Sequence, residues 1–446
     1  MLFRWYILAS MPLQAQSTYI INGNKTLSGS VLTNRSKNGA VALLAGSLLN
    51  KGTTTLHKVP KIEEVYRLIE VLISIGVTCV WSDHTLTIKP PEKINLEAID
   101  TAAAMRTRSI LMFIGPLLHV LKSFDIPQSG GCTLGLRSVQ QHLWALEPFG
   151  VTIETLTECF KITHEKLSPA TIVLYEASDT ATINALYAAS GIPGTTVIKY
   201  CSANYQVQEV CGYLLQLGVS VKGIGTATLT ITGRDSISED VEYAIAEDPT
   251  DAMFFLATAV TTRSELSIRR VPIDFLEVEL FVLMKMGLRY TLTDAGVSEN
   301  GITTLADLVV FPSELTAFPE KIHARPYPAL NIDNLPFFAV IATQALGTTL
   351  IHDWSYEKRA IYYTELDRLG AQTNLMDPHR IQVVGPSRLR AAEIVCPPAL
   401  RPATILLIGM LAAEGRSTLR NVYSINRGYE DLVERLQAIG ADIVAT

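Results

Sequence analysis

The segment VYRLIEVLISIG, residues 65–76, combines the apolar spacing of a helix with a terminal Ile-Gly pair. Glycine is the common residue at this place because it adopts a positive φ without strain and so ends the helix. The pattern returns along the chain, with 68 to 83 residues between successive terminal glycines. Its copies are residues 65–76, 139–150, 207–218, 276–287, 362–370 and 429–440. A long repeat therefore organises this chain.

A second helical pattern, rich in small residues, precedes each of these segments. It occupies residues 39–49, 106–121, 181–190, 252–261, 335–345 and 402–413. Stretches of β-branched residues, which favour strands, follow in most copies, at residues 53–59, 195–200, 265–271, 348–354 and 417–423. After the first terminal glycine, residues 77–80 and 85–89 flank a turn at 82–84, which predicts a hairpin.

Together these patterns predict an α/β protein of six βαβαββ units. Each unit is longer than the roughly 20–45 residues of a typical solenoid repeat, and six equal units divide most simply into two domains of three. The helix rich in Gly and Ala should be buried. The other helix should be amphipathic, with Glu63, Glu64 and Arg67 on its polar side. We therefore expect three sheets around buried helices in each domain.

The composition places the chain among globular proteins. Of its 446 residues, 48% are hydrophobic and 18% are charged, which excludes a disordered protein. The formal net charge of −6 argues against a nucleic-acid partner, for which a basic excess is expected. An anionic small molecule remains compatible with it, because a few cations in one cleft can hold phosphate while the whole chain stays acidic.

Targeting and redox features point to a cytoplasmic protein. A membrane span takes about 20 apolar residues, and the longest candidate is residues 402–413. The cysteines show no CxxC spacing, so neither a metal site nor a disulfide framework is expected; they are Cys79, Cys132, Cys159, Cys201, Cys211 and Cys396. Residues 1–16 faintly resemble a secretory leader, with Met11 as an alternative start. We keep residues 1–17 outside both domains as an uncertain leader.

Four short motifs carry a family resemblance. They are SKNGA at residues 36–40, MR at 105–106 with GPLL at 115–118, GGCTLGLR at 130–137, and NRGYE at 426–430. In this order they resemble the enolpyruvyl transferases, from about Ile20 to the C-terminus. The Gly-Gly-Cys loop with an arginine five residues later is the most specific of them.

The resemblance implies a fold of two inside-out α/β barrel domains, each of three βαβαββ repeats. The chain of this family crosses twice between its domains, which here places the crossings near Ser36–Lys37 and near Ala246. The expected domains are residues 18–36 plus 246–446, taken as catalytic and discontinuous, and residues 37–245, which carry the Cys132 loop.

The resemblance also implies a reaction. The branch with these motifs moves the enolpyruvyl group of phosphoenolpyruvate (PEP) to the 3-hydroxyl of UDP-N-acetylglucosamine and releases phosphate. That reaction is the first committed step of peptidoglycan synthesis, hence of cell-wall biogenesis, and it needs no cofactor and no metal. The expected partners are these two small molecules, with neither a nucleic acid nor a membrane.

Several residues match the family's site positions. PEP carries a phosphate and a carboxylate, for which Lys suits a compact phosphate charge and Arg a two-pronged grip. The matching cations are Lys37, Arg137, Arg359, Arg401 and Arg427. Lys37 also precedes a helix, whose N-terminus adds positive potential.

Two further matches carry the chemistry. Cys132 would be the general acid that protonates the alkene carbon, and its thiol could also add to PEP or be labelled by an epoxide such as fosfomycin. Asp333 would deprotonate the sugar hydroxyl; an Asx turn or a helix N-cap is its structural alternative. The sugar nucleotide would meet Asn38, Arg106, Arg137, Ser138, Gln140, Ser178, Asp179 and Asp333.

Three positions depart from the family pattern. The family's Pro-Val-Asp after the loop arginine is Ser138–Val139–Gln140, so a carboxylate that meets the uracil becomes an amide. The family's Ser-Val-Gly is Ser178–Asp179–Thr180, which adds a negative charge on the nucleotide side. The Asp of the family's Asp-Leu-Arg, which helps at the reaction centre, is Ala399. The acceptor side is therefore more altered than the PEP side.

These departures keep three alternatives open. One is an enolpyruvyl transferase for a different nucleotide, which would retain Cys132. Another is the sister shikimate enzyme, which residues 248–252 loosely resemble although its GNAGTAMR motif is absent. The third is a catalytically silent paralogue that binds sugar nucleotide, for which Ala399 is the support.

Overall fold

The computed structural model describes residues 17–128 and 139–446. Buried side chains of this part of the chain form two hydrophobic clusters. One is built from residues 40–245, and the other from residues 19–31 together with 252–443. We call residues 37–245 the central half and residues 17–36 with 246–446 the split half. The N-terminal strands belong to the split half because they pair with strands near the C-terminus and beyond residue 265.

Helices occur in both halves. The α-helices of the described residues are α1 Lys37–Gly46, α2 Glu63–Ser74, α3 Thr101–Met105, α4 Ile114–Leu117, α5 Gln140–Leu146, α6 Asp179–Ser190, α7 Tyr205–Gln216, α8 Pro249–Thr261, α9 Glu277–Met286, α10 Phe337–Ala342, α11 Leu400–Ala412, α12 Tyr423–Asn426 and α13 Leu432–Ala438. The 3₁₀ helices are Ser47–Leu49, Leu96–Ala98, Arg108–Phe113, Glu147–Phe149, Ile273–Phe275 and Ala360–Leu369.

The strands of the same residues are β1 Tyr19–Asn22, β2 Ser30–Leu32, β3 Thr54–His57, β4 Thr78–Ser82, β5 Thr85–Lys89, β6 Ser123–Pro127, β7 Val151–Thr155, β8 Cys159–His164, β9 Thr171–Val173, β10 Gly194–Lys199, β11 Ser220–Lys222, β12 Thr228–Gly233, β13 Val241–Ala244, β14 Leu266–Pro272, β15 Arg289–Val297, β16 Thr304–Phe311, β17 Leu315–Thr316, β18 Ile322–His323, β19 Ala345–His352, β20 Gln372–Asp377, β21 Arg380–Gly385, β22 Glu393–Val395, β23 Arg416–Arg420 and β24 Asp442–Ala445.

These strands form six sheets within the described residues. The central half has the orders β13-β3-β5-β4, β6-β8-β7 and β11-β12-β10-β9. The split half has β22-β23-β1-β24, β15-β16-β14-β2 and β17-β19-β21-β20, with β18 also paired to β19. Most sheets join antiparallel strands to one parallel edge strand, as with β13 on β3 and β2 on β14. The predicted α/β class and its six units are confirmed.

The helices rich in small residues lie inside, as predicted. Every residue of α8 is buried, and so are nearly all residues of α1, α6 and α11. Ala and Gly let neighbouring helices approach closely and bury little polar surface. The hairpin of β4 and β5 is also confirmed, with Ser82 opposite Thr85.

Two predicted helices differ in form. Residues 106–121 contain a 3₁₀ helix and the short α4, because Pro116 lacks an N–H and Gly115 packs closely on Asn184, whose carbonyl would lie 2.6 Å from an added Cβ. The segment predicted as a helix at 362–370 belongs to a 3₁₀ helix. The fifth copy of the buried pattern, at 335–345, is shorter than expected, since β19 begins at Ala345.

The six repeat glycines end their helices as predicted. Each has a positive φ, from 74° at Gly218 to 107° at Gly287. A side chain at these positions would force a conformation that L-residues rarely adopt. This shared requirement explains why glycine recurs once in each unit.

The two halves are joined by two segments that lie side by side. Arg35 and Glu247 form an antiparallel bridge. The Ser36 amide donates to the Ala246 carbonyl at 2.8 Å, and the Asp248 amide donates to the Asn34 carbonyl at 2.7 Å. Asp248 also accepts from the Lys37 amide at 3.1 Å. These contacts hold the beginning of α1 at the junction. No helix of the described residues is long and apolar enough to cross a membrane.

Candidate active site

A cavity of about 590 Å³ lies between the two halves. Among the residues that line it are nine that the sequence predicts for the site. They are Lys37, Asn38, Arg106, Ser178, Asp179, Asp333, Arg359, Arg401 and Arg427. The first five come from the central half and the other four from the split half, so the cavity needs both halves.

Arg401 and Asp333 form an ion pair at the wall of this cavity. Arg401 is the second residue of α11, and its Nη2 donates to Asp333 Oδ2 at 3.3 Å. Its Nη1 donates to the Tyr429 hydroxyl at 3.0 Å. Burial raises the pKa of Asp333, but the charges of Arg401, Arg359 and Lys37 outweigh burial and hold that pKa below its usual range. Asp333 is therefore ionised at neutral pH.

The Asx turn expected at Asp333 involves a different side chain. Asn331 Oδ1 accepts from the Asp333 amide at 2.8 Å. The carboxylate of Asp333 is thereby left to face Arg401 and the cavity. The Asx turn is therefore made by the side chain of Asn331, and the carboxylate of Asp333 remains available for the proposed chemistry.

Arg359 is held more tightly than a surface cation. Only 1% of its side chain is exposed, and its Nε and Nη2 donate to the two carboxylate oxygens of Asp353 at 2.5 and 2.9 Å. Nη2 also donates to the Ile332 carbonyl at 2.8 Å. The Tyr363 hydroxyl shares Asp353 at 2.5 Å. This network orients the guanidinium on the cavity wall.

Lys37 and Arg427 meet at one carboxylate. Glu64 Oε2 lies 3.2 Å from Lys37 Nζ and 3.3 Å from Arg427 Nη2. Its Oε1 accepts from the hydroxyls of Thr107 and Ser109 at 3.0 and 2.9 Å. Sequence reasoning missed this partner, because it placed Glu63 and Glu64 on the polar side of an amphipathic helix. The helix is amphipathic as expected, but both side chains are buried.

Asp179 is also satisfied within the protein. It is the first residue of α6, after the N-cap Ser178. Its carboxylate accepts from Ser202 Oγ at 2.5 Å, Gln206 Nε2 at 2.5 Å and Asn204 Nδ2 at 3.2 Å. Burial raises the pKa of Asp179 to about 6 despite these donors. The extra negative charge of this chain therefore sits in the cavity wall rather than in open solvent.

Replacing Asp179 by asparagine should raise the melting temperature at about pH 8 but not at about pH 4. When a carboxyl group has a higher pKa in the folded state than in the unfolded state, the protein becomes less stable as the pH rises from the unfolded pKa to the folded pKa. The asparagine has no such proton to lose, so the variant avoids this loss of stability. Thermal melts of both proteins at the two pH values give the measurement.

A surface aspartate provides the control for this experiment. The His379 amide and Arg380 lower the pKa of Asp377, so Asp377→Asn should lower stability slightly at the higher pH. Equal melting temperatures of Asp179→Asn and the unchanged protein at that pH would contradict an ionised, buried Asp179.

The structure also shows where three other residues lie that the sequence predicts to meet the sugar nucleotide. Asn38 donates through Nδ2 to the Tyr205 hydroxyl at 2.8 Å, and Arg106 is exposed at the end of α3. Gln140 begins α5, whose next residues, Gln141 and His142, line the cavity. Cys132, Arg137 and Ser138 lie outside the described residues.

Ala399 shows what the missing family aspartate changes locally. It is the N-cap of α11 and has no side-chain cap. Asp at an N-cap accepts a backbone N–H of the first turn, and Ala cannot. Ala399 is fully buried, so the backbone N–H groups in the first turn of α11 receive no hydrogen bond from the N-cap side chain.

A two-half α/β fold with paired cations and carboxylates in its cleft defines a protein that binds an anionic ligand, and the comparisons with known proteins give its family. The model of the family EPSP synthase (3-phosphoshikimate 1-carboxyvinyltransferase) matches residues 21–436. The chain belongs to this family of enolpyruvyl transferases, as its motifs predicted.

Relatives and solved structures agree with this assignment. The chain is 32% identical to a UDP-N-acetylglucosamine 1-carboxyvinyltransferase of Bradyrhizobium diazoefficiens, over 95% of this chain and 97% of the relative. It is 33% identical to one of Treponema denticola, over 95% and 98%. The crystal structure of the enolpyruvyl transferase NikO from Streptomyces tendae has a TM-score of 0.82 at 25% identity, covering 97% of this chain and 99% of that one. EPSP synthase from Acinetobacter baumannii shares the fold, with a TM-score of 0.73 at 18% identity over 97% and 100%.

Proposed function

We propose that this protein transfers the enolpyruvyl group of PEP to the 3-hydroxyl of UDP-N-acetylglucosamine and releases phosphate. The observation that carries the proposal is the ionised Asp333 beside Arg401, in the same cavity as Lys37 and Arg427. The relatives named for this reaction, aligned over nearly the whole chain, support it. Its place would be the first committed step of peptidoglycan synthesis.

The cations would hold PEP. Lys37, Arg359, Arg401 and Arg427 reach the cavity from both halves, and Arg137 would join them from the loop at 130–137. A phosphate and a carboxylate together need several donors, and guanidinium groups can bind each through two parallel hydrogen bonds. Binding would thus place the alkene of PEP next to Asp333.

The chemistry would proceed by addition and elimination. The acceptor oxygen forms a bond to C2 of PEP as its proton passes to Asp333, while the Cys132 thiol gives a proton to C3. The C2–O bond to phosphate then breaks as the Cys132 thiolate takes back a proton from C3, which restores both the alkene and the thiol. Because anionic PEP offsets the neighbouring cations, the pKa of Asp333 rises when PEP is bound, which strengthens it as a base.

A different nucleotide acceptor is the second candidate, and Asp179 favours it. The N-terminus of a helix attracts anions, and in α6 the carboxylate of Asp179 already occupies this position. An anionic group of the acceptor would therefore be repelled there. An acceptor with a hydrogen-bond donor here would be preferred over one with a phosphate oxygen.

Phosphate release decides between the candidates. Purified protein is mixed with PEP and either UDP-N-acetylglucosamine, other nucleotides, or shikimate 3-phosphate. Turnover with the first acceptor supports the proposal. Turnover with another acceptor alone would overturn its cell-wall role, and no turnover with any of them would favour a silent paralogue.

Cys132→Ser should abolish covalent labelling by fosfomycin and lower turnover strongly. A serine hydroxyl is a much weaker acid and nucleophile than a thiol at neutral pH. Intact mass after incubation with fosfomycin gives the measurement. Cys159→Ser is the control, since Cys159 is a half-buried free cysteine at the start of β8, and it should label like the unchanged protein. Persistent labelling of Cys132→Ser would mean that another cysteine reacts.

The proposal includes the setting of the enzyme. Residues 37–245 and residues 18–36 with 246–446 would be separate domains that close on substrate, with two small molecules as partners and no nucleic acid. The protein would act in the cytoplasm.

A further inference from the structure

We propose that Glu64 is a positioning residue that holds Lys37 and Arg427 together until an anionic oxygen of the substrate shares them. Nothing in the family motifs singles out Glu64. The inference rests on the proposed function in one respect, namely that Lys37 and Arg427 bind the anionic groups of PEP. It adds a competing carboxylate to that site.

The carboxylate of Glu64 is fixed on its far side. Thr107 and Ser109 donate to Oε1. Glu64 is the second residue of α2, a helix of 12 residues, so the N-terminal positive potential stabilises its charge. Only 7% of the residue is exposed. Oε2 is therefore presented to the cavity in one position.

Oε2 joins the two halves of the protein. Lys37 begins α1 of the central half, whereas Arg427 follows α12 of the split half. Without a negative charge between them, two cations that approach the same oxygen within 3.3 Å would repel each other. Glu64 thus keeps the donors close while the cavity holds no substrate.

The same geometry makes Glu64 a competitor of the substrate. A phosphate or carboxylate oxygen of PEP that reaches Lys37 Nζ and Arg427 Nη2 must share donors with Oε2. Glu64 therefore weakens binding of a free anion and, by aligning the donors, raises the rate of the step in which the phosphate leaves. If Glu64 had only a structural role, its loss would not both strengthen anion binding and slow the reaction.

The matched variants are Glu64→Gln and Glu63→Gln. Both side chains lie in the first turn of α2, but Glu63 pairs with Arg67 at 3.6 Å and does not line the cavity. Glu64→Gln keeps the size and the acceptor for Thr107 and removes the charge. Glu63→Gln removes an equal charge one residue away.

The experiment measures the Kd of inorganic phosphate by calorimetry, and kcat and KM for PEP. Glu64→Gln should bind phosphate about 5- to 10-fold more tightly and lower kcat about 10- to 100-fold. Glu63→Gln should match the unchanged protein in both. Glu64→Asp, which keeps the charge but retracts it, should lie between the unchanged protein and Glu64→Gln.

The proposal is overturned if Glu64→Gln binds phosphate no more tightly than the unchanged protein, or if its kcat is unchanged. If Glu64→Gln does not fold, Glu64→Asp decides by the same two quantities. Absence of turnover in the unchanged protein would defeat the proposed function instead, and the phosphate measurement would still decide whether Glu64 competes.

Discussion

Replacing Asp333 by asparagine should lower kcat by about 10²- to 10⁴-fold, the range typical of a lost general base. Asparagine keeps the shape and can still accept from Arg401, but it cannot take the proton of the acceptor hydroxyl. The affinity for PEP should change much less than kcat, because the cations that hold PEP remain. Steady-state phosphate release at saturating substrates gives the measurement.

The pH profile tests the same assignment. Burial raises the pKa of Asp333, but Arg401, Arg359 and Lys37 bring it below the usual range of an aspartate. The acid limb of kcat/KM should accordingly fall below the ordinary aspartate range, since that constant reports the free enzyme. In Asp333→Asn this limb should disappear.

Asp377→Asn provides a control at the surface, where Asp377 pairs with Arg380 at 2.6 Å. It should retain full activity. An Asp333→Asn protein with the kcat of the unchanged protein would show that another group removes the proton, and the assignment of Asp333 as base would be wrong.

Arg359→Met should lower the free energy of unfolding by about 3–5 kcal/mol, the usual effect of leaving a buried charge without its partner. Asp353 is 1% exposed, so it would lose two charge-assisted hydrogen bonds with no water to replace them. Tyr363 would remain as its donor. PEP binding should be lost as well, because the guanidinium reaches the cavity.

Denaturant titration of three further proteins separates these effects. Arg368→Met removes an exposed arginine that pairs with Glu365, and it should change stability by less than about 0.5 kcal/mol. The double variant Arg359→Met with Asp353→Leu should recover much of the lost stability, since it leaves no unpaired charge. The single Asp353→Leu variant completes the cycle. A stable Arg359→Met protein would mean that the buried pair contributes little.

Much of the fold was open to prediction because its signals are local. The terminal glycine of each unit is required because the backbone there has a positive φ, as at Gly76 and Gly440. A run of small residues indicates a helix that packs against neighbours on all sides. Helix form was less predictable: Pro116 and Gly115 shorten a segment whose apolar content alone suggested one long helix.

The sequence could propose candidate residues for the site but not the pairs that they form. The motifs selected Lys37, Arg401 and Arg427, which do reach one cavity. They could not reveal Glu64, because an acidic pair in a first helical turn is equally typical of a solvated surface. The hydroxyls that bind Glu64 belong to Thr107 and Ser109, which lie more than 40 positions away.

The amino-acid sequence was sufficient for the family, the six repeats and the glycines that end their helices, since each depends on residues close together in the chain or on motifs in a fixed order. Tertiary structure alone decided which charges meet. The pairs of Glu64 with Arg427 and of Asp333 with Arg401 join segments 363 and 68 positions apart. Such pairs form only where folding brings the segments together and excludes the water that would otherwise solvate each charge separately.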